Sequence, residues 1–90
     1  MLIIWDDRKN EDNFKKHGVW FEEAQTVILN PLTLMAVNEH PDGDRMEYLG
    51  NSLDSQLLYV VTVEQSDEII RIISGRLATQ SERGKYEEGV

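Results

Sequence analysis

Hydrophobic positions along the chain fall into short runs and stripes separated by polar turns, and the densest of them lie between residues 57 and 76. Two runs rich in Val, Ile, Leu and Tyr, 57–63 (LLYVVTV) and 68–74 (EIIRIIS), flank the polar stretch 64–67 (EQSD). β-Branched and aromatic residues suit a pleated, half-buried surface, so the pattern predicts a β-hairpin with a connection of four or five residues. The first run is apolar at nearly every position, which predicts a central strand covered on both faces. The second is interrupted by Arg71, which the two-residue period puts on one face with Ile69 and Ile73. A guanidinium there is costly unless it is paired or reaches the surface.

Upstream, 1–5 (MLIIW) has strand character and needs a strand to pair with. Asp6 and Asp7 are good N-caps for a helix over about 8–16, with Gly18 just past its end. Asn10, Asn13, Phe14 and His17 share one face of that helix, and Phe14 is its obvious apolar anchor. A second helix is predicted over 21–29, with Phe21, Ala24, Val27 and Ile28 as the buried stripe, stopped by Asn30-Pro31. Strands at 32–38 and 45–49 flank the turn 40–44 (HPDGD), and a loop at 50–55 leads into the hairpin. In the second of these strands Arg45, Glu47 and Leu49 share a face, opposite Met46 and Tyr48. Thr79-Gln80-Ser81-Glu82 matches a capping box and opens a last helix over about 80–88, closed by Gly89, with Thr79, Arg83 and Tyr86 along one side. The order β-α-α-β-β-β-β-α describes an α+β fold with a mainly antiparallel sheet, one domain over residues 1–90.

Composition narrows the chemistry. The chain has no cysteine, which excludes disulfides and thiolate metal sites, and its two distant histidines give no metal signature. It contains neither a signal-peptide pattern nor an apolar run long enough to cross a membrane, so a cytoplasmic location is the expectation. The net charge of −8 argues against nucleic acid as a partner until its distribution is considered. Residues 8–18 carry +2 and 69–86 carry +3, whereas 19–68 carry −9. If the two basic segments meet in the fold, they make a small cationic site on an acidic body, able to hold a phosphate locally.

Three blocks of residues carry a family resemblance. The first is Trp5-Asp6, Lys9, Asn13 and Lys16-His17-Gly18-Val19, running into Phe21-Glu22-Glu23-Ala24. The second is Asp44-Arg45 through Leu49-Gly50, and the third is 70–76 (IRIISGR) with Ala78-Thr79, Glu82-Arg83 and Tyr86-Glu87. In these blocks the sequence resembles the BrnT toxins, small ribonucleases of bacterial type II toxin–antitoxin systems whose fold is similar to that of the RelE toxins. The resemblance implies a metal-independent endoribonuclease needing no cofactor. It also implies a BrnA-type antitoxin of the ribbon-helix-helix class, contact with DNA only through that antitoxin, and a dimer or a heterotetramer with it. The chain departs from the family at Trp20, where a small hydroxyl residue is usual, and at Leu77, where arginine is common.

Cleavage of RNA without a metal needs a base for the ribose 2′-hydroxyl, positive charge for the phosphorane, and an acid for the leaving oxygen. Arg71 and Arg76, with Arg45 as a third, suit the charge-stabilising role, since a guanidinium fork matches phosphate oxygens. The alternative for Arg71 is a structural ion pair with an acid such as Glu47. His17 is a candidate acid or base, or else a cap on the first helix. Lys9, Lys16 and Arg83 are candidate RNA contacts. Tyr86 is either a stacking platform and phosphate donor or a core residue. A second functional reading, motivated by Leu77 and the overall acidity, is an attenuated interaction subunit or co-repressor that binds an antitoxin without cleaving RNA.

Overall fold

The computed structural model describes residues 1–89. Five strands form one sheet in the order β1-β5-β4-β3-β2, from β1 (Leu2–Ile4), β2 (Leu34–Asn38), β3 (Arg45–Asn51), β4 (Leu57–Ser66) and β5 (Ile69–Leu77). Helices α1 (Asp7–His17) and α2 (Phe21–Leu29) pack on one face, and α3 (Gln80–Gly89) follows β5. The sheet is antiparallel except at β1, which pairs parallel to the start of β5, so the predicted order and fold class hold. The hairpin is tighter than predicted: β4 runs on to Ser66 and leaves a two-residue turn, Asp67-Glu68.

Alternation along the strands separates two environments. Tyr48, Leu58, Val60 and Ile72 face the helices and join Val19, Phe21, Ala24 and Val27 in the core. Leu57–Ser66 is the central strand, as expected, but Tyr59, Val61 and Val63 on its other face are only half-buried. The expectation that both faces are closed is therefore corrected: α3 covers the far face only in part.

The polar face of α1 is built into the fold. Asp6 caps the helix by accepting from the amides of Arg8 and Lys9, and Gly18 ends it at φ 72°, a left-handed conformation that glycine adopts without a Cβ clash. Asn10 and Asn13 are the buried residues of this helix, not Phe14, which stays 39% exposed and stacks on Trp20. Trp20 gives α2 no side-chain cap. Asn10 supplies the missing acceptor from α1, taking a 2.7 Å hydrogen bond from the Phe21 amide while donating to Glu22 at 2.7 Å. Asn13 reaches the edge of β5 that short β1 leaves bare, donating to Gly75 O at 2.8 Å and accepting from Gly75 N at 3.2 Å. Its amide occupies the place of a neighbouring strand. On the same helix-facing side, a Cβ at Gly50 would overlap the Thr33 side chain, so glycine there permits the chain after α2 to approach β3.

Candidate functional site

β5 is not a regular strand, and this decides where its arginines go. Val61 pairs with Ser74 but Thr62 pairs with Ile72, so Ile73 is an extra residue, a β-bulge. Arg71 and Arg76 are five residues apart, and strict alternation would send them to opposite faces. The bulge resets the alternation. Arg71 lies across from Val63, which lies across from Arg45, so one row of the open face reads Arg45–Val63–Arg71 over three strands. Strand spacing puts the two arginine Cα atoms about 10 Å apart. Arg76 lies across from Tyr59 on the same face, toward α3.

The three guanidiniums differ in how they are held. The Nη1 of Arg45 donates to Gly43 O at 3.1 Å. Arg71 is held by a neutral side chain: with its amide oxygen turned toward the guanidinium, Gln65 accepts from Nε at 2.9 Å and also from Nη2. Among the described residues no carboxylate pairs with Arg71, so the ion pair with Glu47 is absent. Arg76 is gripped. Its Nη1 and Nη2 donate to the two oxygens of Glu82 at 2.8 and 3.0 Å, and its charge sits 4.4 Å over the Tyr59 ring. Glu82 also closes the predicted capping box, accepting from the Thr79 amide at 2.9 Å while its own amide donates to Thr79 Oγ1 at 3.2 Å. The Arg76 hydrogen bonds, against the opposing effect of burial and with help from Thr79, pull the Glu82 carboxyl down to about 2.

Between α3 and the open face lies a cleft of about 310 Å³ whose polar lining is Glu47, Tyr59, Glu82 and Lys85, with Leu34, Ala36 and Leu49 beside them. Burial, and then the nearby Glu47 carboxylate, push Tyr59 up to about 12. Glu47 also accepts from Asn38 at 2.9 Å. Sequence reasoning assigned neither Glu47 nor Tyr59 to the site. The signal available was that Glu47 alternates with Arg45, but its neighbours come from three other elements.

The remaining candidates divide. Lys9, Lys16 and His17 line one shallow cleft of about 300 Å³ with Asp12, Asn13, Ile73 and Ser74, at the bare edge of β5. They meet the guanidinium face at Ser74, across the strand edge, so the two basic segments adjoin there without sharing one pocket. Arg83 is exposed on α3. Tyr86 is 9% exposed and its hydroxyl accepts from Asn51 at 3.4 Å. It anchors α3 to the sheet, the position of a core residue, one of the two readings for it. Among the described residues no three His, Cys, Asp or Glu side chains are grouped to hold a metal ion, and no helix is long and apolar enough to cross a membrane.

Sheet-borne arginines on an acidic body mark a small α+β protein, and comparison with known proteins gives the class a name. Residues 5–82 match the family described as the ribonuclease toxin, BrnT, of type II toxin-antitoxin systems, and the chain belongs to that family. Its structure is similar to that of the Brucella abortus ribonuclease toxin, BrnT, with a TM-score of 0.70 and 26% sequence identity, covering 89% of this chain and 99% of that one. No match was found among curated proteins. Membership in a type II system implies an antitoxin partner.

Proposed function

We propose that this chain is a metal-independent endoribonuclease toxin of the cytoplasm, cleaving RNA by attack of a ribose 2′-hydroxyl on the adjacent phosphodiester. A BrnA-type ribbon-helix-helix antitoxin holds it in check, in a dimer or heterotetramer that touches DNA only through the antitoxin. The observation that carries this reading is the bulge at Ile73, which puts Arg71 and Arg76 on the face that holds Arg45. Among the described residues Arg45 and Arg71 are bonded only to neutral groups, so their charge is available to a phosphate and to the phosphorane formed from it. Lys9, Lys16 and His17 contact the flanking RNA backbone at the strand edge, and Arg83 does so from α3.

Purified protein incubated with RNA in chelator tests the reading. Products ending in 2′,3′-cyclic phosphate are expected, and intact RNA at micromolar protein overturns it. One observation favours a second reading, an attenuated antitoxin-binding subunit: Glu82 occupies both terminal nitrogens of Arg76. Under that reading, induction without antitoxin leaves growth normal at high soluble expression, whereas an active toxin arrests it.

A further inference from the structure

We propose that the cleft between α3 and the open face of the sheet is the subsite for the nucleotide 5′ to the scissile bond, with Glu47 as the proton acceptor for its 2′-hydroxyl and Lys85 as the proton donor to the leaving oxygen. This rests on the ribonuclease reading and supplies the base and the acid that the arginines cannot be. The cleft's volume of about 310 Å³ lies in the range of small-ligand sites, and its lining joins an apolar floor (Leu34, Ala36, Leu49) to a few convergent polar groups.

Two carboxylates line this cleft, and they are not equivalent. Glu82 has both oxygens taken by Arg76 and one shared with the Thr79 amide, and its carboxyl is pulled down to about 2, so it is a weak base. Among the described residues Glu47 accepts a hydrogen bond only from the neutral Asn38 amide, and no cation is paired with it. The Tyr59 phenol beside it, pushed up to about 12, keeps its proton. His17, the candidate acid or base from the sequence, lines the separate cleft on the α1 side of β5. The charged and titratable groups around Glu47 are Arg45 on its own strand, Tyr59 on β4, Arg76 on β5, and Glu82 and Lys85 on α3; β2 contributes only Asn38.

In the step itself the 2′-oxygen forms a bond to phosphorus as its proton passes to Glu47. The bond from phosphorus to the 5′-oxygen breaks with its electron pair, and that oxygen takes a proton from the Lys85 ammonium. The products are a 2′,3′-cyclic phosphate and a 5′-hydroxyl, with Glu47 protonated and Lys85 neutral until solvent resets them. Arg76, stacked over the ring of the cleft residue Tyr59, brings positive charge near its edge.

Two measurements test this, and they fail separately. In the first, a 2′-deoxy dinucleotide, which cannot be cleaved, is titrated into labelled protein. Shifts of the Tyr59, Glu47 and Lys85 resonances are expected, and shifts confined to Lys9, Lys16 and His17 overturn the subsite whether or not the protein cleaves RNA. In the second, kcat/KM for RNA is followed against pH. The wild type is expected to lose activity toward acid pH, and Glu47→Gln to lose that acid limb and to be slower by about 10²–10⁴-fold at pH 7. Retention of the acid limb in Glu47→Gln overturns Glu47 as the base. Absence of cleavage by the wild type, with the resonance shifts present, overturns the proton-transfer roles and the ribonuclease reading while leaving the binding subsite.

Discussion

The two faces of this sheet come from the same strands and behave as different materials. Toward α1 and α2 the side chains are Tyr48, Leu58, Val60, Thr62 and Ile72, and four of these five have no exposed surface. The polar atoms among them are satisfied: no buried side-chain nitrogen or oxygen among the described residues lacks a partner. Away from these helices the same strands carry Arg45, Glu47, Tyr59, Arg71 and Arg76, all half-exposed. Alternation lets every strand contribute to both. The helix face supplies stability and the open face supplies charge, so a substitution should disturb one property and spare the other.

The sharpest way to break that comparison is to exchange the properties measured. Arg71→Ala with Arg76→Ala removes two of the three guanidiniums on the open face. RNA cleavage is expected to fall by at least 10²-fold, since each lost electrostatic stabiliser typically costs a reaction two to three powers of ten. Stability should fall only by about 1–2 kcal/mol, the worth of the Arg76–Glu82 pair. Leu58→Ala on the opposite face is expected to cost about 3–4 kcal/mol of stability by leaving a cavity in the core, while the residual folded protein keeps its kcat. Equal loss of stability in both variants, followed by calorimetry, would erase the distinction.

Asn13 sharpens the comparison because it belongs to the helix face but grips the backbone between the two arginines. Asn13→Ala leaves Val19 O, Gly75 O and Gly75 N without their side-chain partner. The expected cost is about 2–3 kcal/mol, and faster hydrogen exchange at the Gly75 amide is the accompanying signature. An unchanged exchange rate there would show that the strand edge does not depend on α1.

Much of this architecture was legible in the residues. Capping signals placed all three helices: Asp6 and Gly18 around the first, Asn30-Pro31 after the second, Thr79 and Glu82 at the third. β-Branched density placed the central strand. The bulge at Ile73 was not legible, because nothing in Ile72-Ile73-Ser74 marks which residue goes unpaired; that is settled by the register against β4. That Asn10 and Asn13, and not Phe14, are the buried residues of α1 was not legible for a related reason. Asparagine reads as solvated, and only the bare edge of β5 and the uncapped start of α2 give Asn13 and Asn10 buried work. The site was half legible. Its arginines announce themselves by sitting in strands, whereas Glu47 and Tyr59 acquire meaning only when α3 folds back over them.

Glu82 stands at the border of the two regimes, holding α3 in place and holding Arg76 down. Its carboxyl falls from an ordinary 4.5 to about 2 on folding. A group depressed in this way stabilises the fold fully above its unfolded value, and that stabilisation fades as the pH drops from about 4.5 through about 2. The shift itself corresponds to about 3 kcal/mol, which partial solvent access at the pair reduces to about 1–2. Glu82→Gln is therefore expected to lower the urea midpoint at pH 7 by an amount equivalent to about 1–2 kcal/mol, a gap to the wild type that narrows steadily below pH 4.5. The same substitution loosens the carboxylate's grip on Arg76 and should tighten binding of a 2′-deoxy oligonucleotide at low salt. A variant that loses stability without gaining affinity would mean that Arg76 belongs with the scaffold, and that the charge reaching the RNA comes from Arg45 and Arg71.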